Sequence, residues 1–99
     1  MPRKTREGGV GGALEAALFY RALDRHALAE RIGVSYETVR RWAAEETQMS
    51  RDDVELVADA LDIPGELLVR PPSTRERALA MIAAWDGMRE ARGVEPPPA

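Results

Sequence analysis

The chain has 99 residues, 44% of them hydrophobic, and a formal net charge of −3. That supports one small domain around a modest core. It has no cysteine, which excludes disulfides and thiolate metal sites, and no apolar run approaches the ~18 residues of a membrane span.

Charge is unevenly spread: residues 1–48 carry +1 and residues 49–99 carry −4. A polyanionic partner would therefore meet the first half, because phosphate binding depends on local charge. Thirteen arginines stand against the single Lys4, and asparagine is absent. That bias suits a GC-rich genome, so a high-GC bacterium or its phage is the expected source. Arg3, Lys4 and Arg6 are followed by glycines rather than an apolar segment, so a bacterial cytoplasm is the expected location.

Residues 1–12 read as a flexible basic arm, since the four glycines between Gly8 and Gly12 disfavour a helix. Leu14, Ala17, Leu18, Arg21 and Ala22 have helical spacing and predict a first helix over about 13–23. Asp24 caps a second helix at 25–32, in which Leu28 and Ile32 share a face with Ala29 beside them. Gly33 ends it, where a left-handed residue is easiest without a Cβ. Ser35 caps a third helix at about 36–44. Val39 and Trp42 point inward on it, and Tyr36, Glu37, Arg40 and Arg41 point outward.

Glu45 to Met49 form a polar loop before Ser50 opens a fourth helix. Asp52 and Asp53 suit its positive dipole end, and Val54, Val57, Ala58 and Leu61 give the cleanest helical stripe in the chain. Ile63-Pro64 breaks it, Gly65 to Val69 make a short fifth helix, and Pro71-Pro72 punctuate. Ser73 with Glu76 predicts a capping box for a sixth helix over about 74–92. Its stripe is Ala78, Met81, Ile82, Trp85 and Met88; Gly93 stops it and a proline-rich tail, 93–99, is expected to be disordered. No strand pattern occurs, so the expected class is all-α.

Residues Asp24 to Trp42 resemble the helix-turn-helix of the lambda-repressor/Cro-like family. The resemblance rests on the cap, Leu28-Ala29, Gly33-Val34-Ser35, Thr38-Val39 and the aromatic Trp42. It continues more loosely through Ala58-Asp59-Ala60-Leu61-Asp62-Ile63 to Leu67-Leu68 and covers about 13–69. It implies a five-helix DNA-binding domain, extended here by the C-terminal sixth helix at 73–92, that reads the major groove of double-stranded DNA with its third helix. It implies a transcription regulator similar to a phage Cro or small repressor. The alternative is a protein-interaction module of the antitoxin type.

Within that register, Tyr36, Glu37, Arg40 and Arg41 are the expected base-contacting residues. Glu37 can accept from a cytosine N4 amine, and Arg41 can fork onto guanine O6 and N7. Tyr36 can pack on a thymine methyl or bond a phosphate, while Arg40 suits phosphate better than a base edge. The plainer reading of the same residues is a solvated face, with Glu37 paired to Arg40 or Arg41. Arg25, Ser35, Thr38 and Arg51, with Arg3, Lys4 and Arg6 of the arm, are the expected backbone contacts.

Three departures from the family stand out. Leu18 and Ala43 occupy the places of a frequent buried Arg–Glu pair. The glycine usual after the third helix is replaced by Ala43-Ala44-Glu45-Glu46, which lets that helix run on. Glu45 and Glu46 would face and repel phosphates in a family-like docking.

Five helices already close a core, so Met81, Ile82, Trp85 and Met88 are expected to form a homodimer surface; the alternative is that the sixth helix folds back to complete the chain's own core, and both can hold. His26 has no second ligand nearby in sequence, and the adjacent Asp52 and Asp53 point apart on a helix. No catalytic group, metal or cofactor is expected.

Overall fold

Local chemistry sets most of the helix ends in the computed structural model, which describes residues 8–93. Those residues form six α-helices and no strand: α1 Gly9–Tyr20, α2 Arg25–Ile32, α3 Tyr36–Ala43, α4 Arg51–Leu61, α5 Glu66–Val69 and α6 Arg75–Gly93. The Asp24 carboxylate accepts from the Ala27 N–H and starts α2, and the Ser35 hydroxyl accepts from Thr38 and starts α3. Ser50 and Asp53 close a reciprocal capping box on α4. Gly33 ends α2 at φ 77, the left-handed region that glycine enters without strain.

The helix α1 is the centre of the fold. Ala13, Leu14, Ala16, Ala17 and Leu18 are all buried, and α3, α5 and α6 pack around it. Three alanines in that run let neighbouring backbones come close. On the far side α2 packs on α3 and α4. Leu28, Val39, Trp42, Val57, Leu61, Ile63, Leu67 and Leu68 complete a single apolar core. No polar or charged side chain is buried among the described residues.

The start of α1 corrects the reading of residues 9–12 as part of an arm; the stretch 1–7 lies outside the described residues. The glycines are used for close approach rather than looseness. A Cβ on Gly11 would stand 2.2 Å from the Ala43 carbonyl oxygen, and one on Gly8 would stand 2.7 Å from that of Ser73. The helix also stops at Tyr20, three residues before the expected end. Ala22 turns left-handed at φ 58 and the Leu23 N–H reaches back to the Leu18 carbonyl at 2.9 Å.

A second correction concerns the end of α3, which does not run on. Glu45 takes φ 61 in place of a glycine. Its N–H meets the Trp42 carbonyl at 3.0 Å and the Glu46 N–H meets Arg41 at 2.8 Å, a Schellman closure. The Glu45 carboxylate then crosses to α1 and accepts from the Gly11 N–H at 2.8 Å. An acid there satisfies a free amide at the positive end of the α1 dipole.

Glu45 thus combines a strained backbone with a charged cap. Removing the carboxylate in Glu45→Ala should destabilise by about 1.5–3 kcal/mol, the range for a hydrogen bond to a charged group. Glu45→Gly should lose about 1 kcal/mol less, because glycine adopts the left-handed region without a Cβ clash. Thermal melts should rank wild type, glycine variant, alanine variant. A glycine variant melting above wild type would show that strain outweighs the cap.

The third correction is α6. Its cap is Thr74, whose hydroxyl accepts from the Arg77 N–H at 3.1 Å, rather than Ser73. Its inward stripe folds onto this chain's own α1, with Ala78 and Ile82 fully buried and Met81 half-buried. Ile82 is therefore core and not dimer surface. Trp85 is half-buried and donates its ring N–H to Asp62 at 3.3 Å, leaving Met88 exposed.

The α6 helix is held to α1 and α4 by Arg21. This guanidinium donates to the Leu61 and Asp62 carbonyls at 2.8 and 2.7 Å, and to both Asp86 carboxylate oxygens at 2.8 and 2.7 Å. Arg89 adds an ion pair with the Asp62 carboxylate. None of the described helices is long and apolar enough to cross a membrane.

Candidate nucleic-acid interface

The turn at Gly33 lays α2 against α3 so that one side of α3 is sealed and the other is open. Val39 and Trp42 are 0% and 3% exposed. Glu37 and Arg41, on the opposite side, are about half exposed. The start of α3 is further fixed by a stack between Tyr36 and His26 of α2, with ring centroids 4.0 Å apart and planes 10° from parallel. That stack ties up one face of the Tyr36 ring. The hydroxyls of Ser35 and Thr38 lie 2.9 Å apart in the cap itself.

The outer charges form a connected set. Arg40 grips Glu37 with two bonds, Nε to Oε1 at 3.0 Å and Nη2 to Oε2 at 2.7 Å. Arg41 Nε reaches the same Oε2 at 3.2 Å, and Glu46 meets Arg40 Nη2 at 3.3 Å. Hydrogen bonding by Arg40, then by Arg41, lowers the Glu37 carboxyl to about 2. A carboxyl lowered in this way stays charged at neutral pH, and the stability its pairing contributes fades as pH falls toward 2.

Both loop acids expected to repel phosphate are therefore occupied within the chain. Glu45 caps α1 and Glu46 adjoins Arg40.

Arg25, at the start of α2, pairs with Glu15 of α1 at 2.8 Å and keeps about a third of its side chain exposed. Its guanidinium is shifted up, first by the Glu15 bond and then, against the effect of burial, by Tyr36. Arg51 opens α4 beside a groove of about 770 Å³ lined by Val10, Trp42, Met49, Val54, Leu68 and Val69 among others. Arg3, Lys4 and Arg6 lie outside the described residues. Met81, Trp85 and Met88 belong to α6, whose inner face packs on α1 rather than near this surface.

Two structural roles escaped sequence reasoning. Arg21 sat inside an apolar stripe, and that misfit was the one available signal of a buried-edge partner. The Glu45 contact joins residues 34 apart and leaves no local mark. Among the described residues no group of His, Asp or Glu is placed to hold a metal ion. No protein-family model, curated protein or solved structure matches the chain.

Proposed function

We infer that the chain is a sequence-specific DNA-binding regulator of the lambda-repressor/Cro-like type, with α3 entering the major groove. The observation that carries this reading is the two-sidedness of α3: Val39 and Trp42 buried, and Glu37, Arg40 and Arg41 presented together on the outside. The turn at Gly33 and the His26–Tyr36 stack fix α3 relative to α2. A rigid helix with polar groups of both signs on its open side suits base edges, which offer donors and acceptors. On an operator, such a protein blocks access by occupancy.

The test is a gel shift with duplex DNA from upstream of the protein's own gene, at defined salt. Arg41→Ala should lose about 1–3 kcal/mol of discrimination between target and random duplex, roughly fivefold to more than a hundredfold, if its fork meets guanine. Unchanged discrimination in that variant would remove Arg41 from the base-reading set. No binding to any duplex at low salt would overturn the whole reading.

A further inference from the structure

The arginines on the open side of α3 are engaged before any ligand arrives. The Arg40 fork meets Glu37 in the two-bond geometry that a guanine edge or a phosphate would otherwise take. Arg41 shares the same carboxylate. With Glu46, the four side chains sum to zero charge. Two arginines on a proposed recognition helix thus exert little net pull on a phosphate backbone.

We propose that Glu37 is the specificity-determining residue of this face: it competes with DNA for Arg40 and Arg41 and releases one of them only where a guanine edge takes the guanidinium and a neighbouring cytosine amine donates to the carboxylate in its place. The inference rests on the DNA-binding reading above. The chemistry is a matter of donors. A phosphate is acceptor-only, so arginines that leave Glu37 for phosphates strand a carboxylate beside a negative backbone. Within the major groove the donors are cytosine N4 and adenine N6, while guanine N7 and O6 and thymine O4 are acceptors.

Over a guanine-containing step, an arginine forks onto O6 and N7, and the freed carboxylate takes the cytosine amine. The other arginine keeps its bond to the carboxylate, so no charge is left without a partner. Over an A·T pair, the adenine amine lies beside its N7 acceptor, which repels the second carboxylate oxygen, and thymine O4 cannot satisfy a fork. Exchange is therefore favoured at G·C and disfavoured at A·T and at bare phosphate.

The experiment uses the full chain in two arms: selection from a random duplex library, and fluorescence polarisation against an unselected duplex across a salt series. Wild type should enrich sites with cytosine at one fixed position and guanine close by, and should bind the unselected duplex weakly. Glu37→Gln keeps size and exposure but removes the charge, and its fold is checked by circular dichroism. It should bind the unselected duplex more tightly, with a salt dependence steeper by about one phosphate contact. Its preference at the cytosine position should move to adenine, which a glutamine amide reads through N6 and N7. If wild type selects a site and Glu37→Gln keeps the same preference and the same weak background, the gate is overturned and DNA binding stands. If neither protein binds any duplex at low salt, the DNA reading falls and the gate with it.

Discussion

Gly11→Ala is expected to destabilise the protein by about 2–3 kcal/mol, the cost of forcing an extra methyl into a filled site. In a domain of this size that lowers the melting temperature by roughly 10–20 °C. The sign is the informative part. In an open helix interior the same change gains up to about 1 kcal/mol. Here the new Cβ would stand 2.2 Å from the Ala43 carbonyl oxygen and 3.1 Å from Glu45 Oε2. The first neighbour is backbone and cannot rotate away, so α1 must shift and the Gly11–Glu45 bond stretches with it. Gly87→Ala is the matched control. Nothing lies within 4 Å of its Cβ position on α6, so it should stabilise by about 0.5–1 kcal/mol. Thermal melts followed at 222 nm compare the two. A Gly11 variant that melts with wild type would mean α1 does not seat on the end of α3.

The same glycines show where sequence reading stops. Asp24, Ser35 and Ser50 were legible because a cap acts over three residues, all visible in one window. The alternation of buried and open positions on α3 was legible for the same reason. A glycine run, by contrast, means either freedom or close approach, and only the partner decides. For Gly11 that partner is Ala43, far along the chain. In the sequence Glu45 reads as an obstacle to DNA, because its loop position is visible there and the distant amide it caps is not. The burial of Ile82 likewise depended on an α1 face that α6 could cover, which α6's own stripe could not reveal. The pairing of Glu37 with both arginines was among the local possibilities of an i+3, i+4 spacing.

Arg21→Ala is expected to cost about 2–3 kcal/mol, since it removes four hydrogen bonds at a site that is largely shielded from water. The Arg21 side chain is 21% exposed and that of Asp86 27%. The loss has two parts. The Leu61 and Asp62 carbonyls, at the end of α4, lose their donor. Asp86 loses the pairing that holds α6 across α1. Arg21→Lys should recover only part, because an ammonium cannot form the planar fork.

Acid separates the two parts. Hydrogen bonding and charge from Arg21 hold the Asp86 carboxyl below its ordinary value. Stability from a depressed carboxyl is complete above the unfolded value of about 3.9 and fades as pH falls through the lower folded value. The gap between wild type and Arg21→Ala should therefore narrow below about pH 4 and not close, since the carbonyl bonds do not titrate. Chemical denaturation at pH 7 and pH 3 measures it. A gap independent of pH would assign the whole effect to the carbonyls.

The seat of Gly11 on Ala43 also sets the entropy of whatever α3 does. The helix is pinned at its start by the Ser35 cap and the His26–Tyr36 stack, and at its end by the backbone of α1 and the Glu45 bridge. Its main chain has little freedom left to lose on complex formation. The residual ordering falls on guanidinium tips already arrested by Glu37. Association on this surface should then proceed on a fixed main chain with exchange of side-chain partners as its rearrangement, and its selectivity should be expressed in residence time rather than in encounter rate.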